Sequence, residues 1–345
     1  GDNMVIHYKC PNCGGDMAYD TGTGKLYCDS CGREDSIEDF PVENIQGVFS
    51  EEDGKEYHCK NCGAVIMTDA DTTATTCSFC GAGVVLGDRL AGKMAPAKII
   101  PFKISKEEAM KAFKSWAGNG KLTPKGFMTA DRIKNITGIY VPFWLYDLNS
   151  RVQVNAICTK VRTYTRGDYI YTETRYYDVY RDINLDYVKL PVDASEKMND
   201  ELMDKLEPYN YNDLKEFKPP YLAGYIAEKY NYDEKELLPR AKSKIENYIN
   251  SYISSTITGY SSVRYNSKNI NTNKKNAYYT LLPVWMVYYD YDHSEHTFAM
   301  NGQTGKVVGK PPISFSRVLK WFGGIAGGTF IILKIIAFAM GGGLW

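Results

Sequence analysis

Eight of the nine cysteines fall into four Cys-x-x-Cys pairs, and no other feature of the sequence constrains the fold as tightly. The pairs are Cys10/Cys13, Cys28/Cys31, Cys59/Cys62 and Cys77/Cys80. Fourteen residues separate the pairs of each set, and the second set repeats the first at a shift of 49 positions. A glycine follows each pair (Gly14, Gly32, Gly63, Gly81). Two intervening residues let one tight turn aim two thiolates at a single ion, and two such turns complete a four-cysteine shell with Zn–S distances of about 2.3 Å. Glycine suits the exit of that turn, where a positive φ would bring a Cβ into collision. Each fourteen-residue insert is long enough for a short hairpin and too poor in apolar side chains for a core. Metal would therefore supply much of the folding free energy.

Other uses of cysteine fit less well. A disulfide framework belongs to small oxidised domains, and this chain of 345 residues shows no apolar secretory segment after Gly1. A redox Cys-x-x-Cys stands once beside a βαβ unit rather than four times in register. Four protein ligands leave no open position for water or substrate, which sets catalytic zinc aside. The expectation is two structural zinc ions, one on Cys10, Cys13, Cys28 and Cys31, the other on Cys59, Cys62, Cys77 and Cys80. The repeat favours this sequential pairing, with a cross-braced arrangement as the alternative.

These pairs resemble the zinc ribbons of transcription factors and RNA polymerase subunits, over about the first quarter of the chain. Charge separates them from nucleic-acid-binding ribbons. Residues 1–87 carry five Lys/Arg against fifteen Asp/Glu, a net of −10, while the rest of the chain carries 36 against 26, a net of +10. A loaded four-thiolate site adds about two more negative charges. Nucleic-acid binding draws its affinity from cations placed on phosphates, so ribbons of this charge point to protein contact.

The organisation expected is α+β: a first ribbon over 1–40, an acidic linker over 41–56, a second ribbon over 57–90 and an α+β domain over 95–312. The 28 tyrosines suit strands and amphipathic surfaces, and read mainly as a tyrosine-rich sheet. Residues 99–104 read as a short strand. Ser105 and Glu108 form a capping box, and Ala109, Ala112, Phe113 and Trp116 share one helix face. An apolar strand begins at 139. Two alternating runs, 151–163 and 169–183, make a hairpin through Arg166-Gly167-Asp168, with Val152, Val154, Ala156 and Cys158 on its covered face. A short helix is expected near 197–206. A long one over 233–257 should bury Leu238, Ala241, Ile245, Tyr248, Ile249, Tyr252 and Ile253. Residues 266–276, rich in Asn, Ser and Lys, read as a mobile loop. Strands follow over 280–292 and 297–309, the second doubling back at Asn301-Gly302. Aligning the two proline-containing strands places Pro142 on Pro283 and Trp144 on Trp285, the signature of a duplicated helix-plus-sheet unit.

No catalytic constellation stands out. The chain has no phosphate loop, dinucleotide fingerprint, nucleophile elbow or His-Glu-x-x-His. His293-x-x-His296 lacks a third ligand nearby and reads as loop polarity. A non-enzyme is expected.

From Trp321 to Trp345 the only charged residue is Lys334, and a transmembrane helix is expected over 318–342. Tryptophans mark both ends, while Lys306, Lys310, Arg317 and Lys320 precede the span. The positive-inside rule then gives a single-pass protein of the cell membrane with its body in the cytosol. Gly323, Gly324, Gly327 and Gly328 form a small-residue ridge on which two such helices can approach, so a homo-oligomer is expected.

Taken together, the ribbons, the segment at 301–314 and the terminal span resemble a bacterial family. Its members join TFIIB-type zinc ribbons, an α+β region and a C-terminal membrane segment, some of them encoded with phage-shock-type envelope-stress proteins. The resemblance implies a tail-anchored membrane adaptor that recruits cytosolic partners of the PspA or SPFH type. The alternatives are a membrane-tethered nucleic-acid-binding regulator and a ligand sensor built on the α+β domain.

Overall fold

Three strands of 31, 25 and 30 residues dominate the molecule, where strands ordinarily run to about 3–10. The computed structural model describes residues 5–39, 56–59, 62, 64–68, 71–77, 80, 82–86, 95–118, 120, 122–124, 127, 136–291 and 294–339. The first cysteine module holds β1 (Val5–Ile6), β2 (Met17–Tyr19), β3 (Leu26–Cys28) and β4 (Glu34–Asp35). The second holds β5 (Glu56–His58), β6 (Val65–Met67), β7 (Thr72–Thr76) and β8 (Gly83–Leu86). The body begins with β9 (Lys98–Ile99), α1 (Lys106–Gly118), β10 (Ile136–Arg166), β11 (Tyr169–Asp193) and α2 (Asp200–Leu206). It continues with β12 (Lys215–Glu216), β13 (Ile226–Glu228), α3 (Leu238–Thr256), β14 (Ser262–Tyr291), β15 (Ser294–Asn301) and β16 (Val307–Gly309), and α4 (Phe315–Ala339) follows.

β10 and β14 lie antiparallel over nearly their whole length, from Thr159 opposite Ser262 to Ile136 opposite Val287. Alternation along β10 decides which helix covers which face. Tyr140, Trp144, Val152, Val154, Ala156 and Cys158 share a core with Phe113 of α1 and with Ala241, Ile245, Ile249 and Ile253 of α3. Ile139, Val141 and Phe143, of opposite phase, share a second core with Met203 and Leu206 of α2. Each such aliphatic side chain contributes about 1.5–3 kcal/mol on full burial. β11 runs back along β10 from Arg166–Tyr169, and Gly167 adopts φ +62° in the turn, so the Arg-Gly-Asp triplet is a hairpin corner.

Two parts of the body repeat one set of contacts. β13 lies parallel to β10 with Ile226 opposite Ile139, and β9 lies parallel to β14 with Lys98 opposite Thr280. Trp144 Nε1 donates to the Tyr232 carbonyl and Trp285 Nε1 to the Ile104 carbonyl, both at 2.9 Å. Ala194 N–H donates to Pro142 O at 2.9 Å, and Gly302 N–H to Pro283 O at 2.8 Å. The helix caps match too: Ser105 and Glu108 bond reciprocally before α1, as Asp233 and Glu236 do before α3. The halves differ in reach, since β11 has 25 residues and β15 has 8.

The cysteine modules are stitched to this body. β7 pairs with β13, β8 with β7 and β1 with β8, so strands of both modules extend one eleven-stranded sheet. Tyr19 N–H also donates to the Ala223 carbonyl at 3.0 Å, and its ring lies 5.6 Å from that of Tyr221.

Three expectations change. Residues 266–276 are no loop: they form the middle of β14, paired with β10 from Asn276 to Arg264. Their polar composition reflects exposure of the side chains, while the backbone is satisfied by the ladder. Tyr248 and Tyr252 are 63% and 48% exposed, because the covered line of α3 is Ala241, Ile245, Ile249 and Ile253 and the tyrosines stand one position off it. The strand expected over 99–104 narrows to Lys98–Ile99. The hairpin, the buried face through Cys158 and the reversal after Asn301 are as expected. Residues 41–55 of the linker and His293 lie outside the described residues.

Candidate metal centres

Each cysteine knuckle is closed by the same backbone bond. The first cysteine donates its N–H to the carbonyl five positions on: Cys10 to Gly15, Cys28 to Arg33, Cys59 to Ala64 and Cys77 to Ala82, at 2.8–2.9 Å. Gly14 and Gly32 take φ of +72° and +75°, and each returns an N–H to the carbonyl of the first cysteine of its pair. That is the conformation for which glycine was expected; Gly63 and Gly81 lie outside the described residues. The β2–β3 hairpin, with Met17 opposite Cys28, carries the chain from one knuckle of the first module to the other.

These turns bring the thiols together in two groups. In the first module Cys10 Sγ lies 3.6 Å from Cys31 Sγ, and Cys13 Sγ 3.6 Å from Cys28 Sγ. In the second, Cys59 and Cys80 are 3.7 Å apart and Cys62 and Cys77 3.8 Å. All four sulfurs of each group lie within 4.8 Å of one another. Sulfurs at the corners of a tetrahedron, about 2.3 Å from a central ion, stand about 3.8 Å apart, whereas a disulfide requires about 2.05 Å. The geometry suits a tetrahedrally held ion, and the grouping is sequential rather than cross-braced.

Electrostatics also favour a cation here. The Gly15 N–H pulls the Cys13 thiol down, but the thiols of Cys31 and Cys28 outweigh it and push Cys13 up to about 12. The Arg33 N–H, then the Cys13 thiol and the Asn12 side chain, draw Cys31 down to about 6. In the second module the Ala64 N–H pulls Cys62 down, while desolvation and the Cys80 thiol push it up to about 12. Thiols crowded this closely resist sharing negative charge, and a cation held among them would relieve it. In both groups the first cysteine of each pair is buried and the second exposed.

Two further features sit apart from the thiols. α4 contains a span, Phe315–Ala337, with mean hydropathy 1.5 and none of it buried against the rest of the protein, long and apolar enough to cross a membrane. Its Gly323, Gly324, Gly327 and Gly328 have nothing within 4 Å of where a Cβ would stand. The second feature was missed in the sequence: Asp193 is buried, accepts the Ser195 N–H on Oδ1 at 3.1 Å and leaves Oδ2 without a hydrogen-bond partner. Burial pushes its carboxyl up to about 7, with the Ser195 N–H and Arg240 pulling the other way. Its place is matched by Asn301, whose Oδ1 accepts the Gln303 N–H at 2.9 Å; only the strand registers, Phe143 opposite Asp193 and Val284 opposite Asn301, bring the two into correspondence.

The chain is similar to the uncharacterized protein YdjG of Bacillus subtilis (strain 168), with 66% identity over 340 residues that cover 99% of this chain and 100% of that protein. No family model and no solved structure matches it.

Proposed function

We propose that the chain, which belongs to the same family as YdjG of Bacillus subtilis, is a non-enzymatic adaptor held in the cell membrane by α4, with its cysteine modules and body in the cytosol. The observation that carries this reading is the uncovered apolar span of α4. An apolar helix of that length is unfavourable in water and finds its complement in a hydrocarbon layer. Lys306, Lys310, Arg317 and Lys320 on its N-terminal side favour a cytosolic body, and so do reduced thiols. Cys10, Cys13, Cys28 and Cys31 would hold one zinc ion, and Cys59, Cys62, Cys77 and Cys80 a second. With four protein ligands each, such ions supply folding free energy and no reaction.

The reading also takes the modules as zinc ribbons and the body as two copies of one β–α–β–β unit, supported by the matched tryptophan bonds, caps and strand registers. Cytosolic proteins of the PspA or SPFH type are the proposed partners. Affinity capture of the full-length protein from detergent-solubilised membranes tests this: a defined cytosolic partner should copurify, and the chain should resist alkaline extraction. No salt-sensitive binding to duplex or single-stranded DNA is expected, since the acidic modules repel phosphate. Tight DNA binding with a steep salt dependence would replace the adaptor with a membrane-tethered regulator.

A self-associating α4 is proposed for the glycine ridge. Gly323→Ile with Gly327→Ile should abolish crosslinked dimers in membranes without affecting insertion. Unchanged crosslinking would move assembly elsewhere.

A further inference from the structure

The β10–β11 hairpin reaches far beyond what the fold uses. The last pair between β10 and β14 is Thr159–Ser262, yet β10 and β11 stay paired out to Arg166–Tyr169. Over that stretch the sheet has only two strands, and α3, which ends at Thr256, no longer covers it. Side chains there stand in water on both faces, with Tyr169 72% and Ile170 75% exposed. A bare two-stranded hairpin is at best marginally stable by itself.

Its two faces are chemically distinct. Register places Lys160 opposite Arg175, Arg162 opposite Glu173, Tyr164 opposite Tyr171 and Arg166 opposite Tyr169 on one face. Four cations stand there against Glu173, which is paired with Arg175 at 2.7 Å. The other face carries Val161, Thr163, Thr165, Ile170, Thr172 and Thr174, with no ionisable group. Three rings of this face are in contact with neighbours, while that of Tyr169 stands open. Tyr164 and Tyr171 stack on each other at 5.5 Å, Arg162 lies 5.7 Å over Tyr164, and Lys160 lies over Tyr177 and Tyr260. With four cations against one carboxylate, the chemistry that dominates this face is that of guanidinium and ammonium donors.

Within the sheet the tip stands at the far end from α4. Gly309, near the start of α4, lies opposite Phe298, which lies opposite Val287, which lies opposite Ile136 at the beginning of β10. The hairpin tip is at the other end of that strand, on the order of 100 Å of extended chain away.

We propose that the basic face of this hairpin tip docks an acidic, extended segment of a protein partner. Charge complementarity sets the occupant: clustered Arg forks meet carboxylates in paired hydrogen bonds. The proposal rests on the adaptor reading and names the chemistry of what is recruited.

The test uses full-length protein in detergent, a labelled peptide of alternating Glu and Ser, and a labelled oligo-dT of equal length. The peptide should bind, with affinity falling as salt rises. Lys160→Glu with Arg162→Glu and Arg175→Glu should weaken it by about tenfold or more, and Arg264→Glu, across the sheet from that face, should leave it unchanged. Absence of peptide binding, equal binding by the triple variant, or tighter binding of the oligo-dT would overturn the proposal. Capture from membranes separates the two readings. A cytosolic partner retained equally by parent and triple variant would keep the adaptor and discard the tip, whereas peptide binding without any captured partner would do the reverse.

Discussion

In the cysteine modules the thiols that meet stand 15 or 21 positions apart, whereas in the body Trp285 reaches the Ile104 carbonyl across 181. The second module encloses a small apolar cluster of its own, with Tyr57, Val84 and Leu86, while Met17, Leu26 and Ile37 of the first pack into the edge of the body's core. The body has two cores built on the faces of long strands. A short chain cannot remove enough apolar surface from water to offset its ordering entropy, and cross-linking through an ion would make up the shortfall. The body needs no such link. The two regions nevertheless share a seam, at β7–β13, at Tyr19 and through Met17, Leu26, Ile37 and Val85, which join the larger core of the body, so loss of a metal should reach the body across that seam.

The largest effect should come from breaking the modules. Two zinc ions per chain are expected in protein purified without chelator, and Cys10→Ser or Cys59→Ser should each remove about one, because three ligands hold a structural ion poorly. Cys158→Ser should leave both, since that thiol is packed in the body's core. Elemental analysis decides it, and one ion or none in the parent would end the metal reading. Hydrogen exchange sharpens the contrast: a chelator should expose the amides of β2 and β3 while β10 and α3 stay protected.

A smaller, pH-dependent effect should come from the body alone. Asp193 ionises at an ordinary value of 3.8 when exposed and is pushed up to about 7 by burial in the fold. Folding therefore takes up a proton between these values. Stability from this group is present at low pH and falls across that window at up to about 1.4 kcal/mol per pH unit, then levels off. Asn301, in the corresponding place, carries no charge and donates Nδ2 to the Leu206 carbonyl at 3.0 Å. Asp193→Asn should accordingly gain on the parent between pH 5 and pH 8. Metal-site titration is common to both proteins and cancels in the difference. Unfolding curves with the same pH dependence would show that Asp193 stays ionised in the fold.

What could be read in advance follows the same divide. Cysteine spacing specifies a local structure, so all eight thiols and their grouping were visible in the sequence. The capping box at Ser105 and the hairpin at Gly167 were visible for the same reason. The 266–276 segment was misread because its composition is that of a loop, and only the distant β10 makes it a strand. Tyr248 and Tyr252 were misplaced by one helical step, since periodicity alone does not mark the edge of a covered stripe. Asp193 carries no local signal: its isolation depends on Ser195, Arg240 and the strand pairing around them.

The smallest effect asks whether the two matched sets of contacts in the body are alike in energy. Trp144 and Trp285 are both buried, and each gives one indole N–H to a carbonyl at 2.9 Å, in Tyr232 and Ile104 respectively. Trp→Phe at either site keeps most of the ring volume and leaves that carbonyl without its donor, at a cost of about 1 kcal/mol for the bond plus a smaller packing loss. The two substitutions should therefore cost the same within about 0.5 kcal/mol, and together they should add, because the indoles share no partner. Their ring neighbours differ, Tyr230 and Tyr279 around Trp144 but Phe102 and Tyr225 around Trp285. A gap well beyond 1 kcal/mol would mean that these surroundings, and not the repeated hydrogen bond, set the energy of each half.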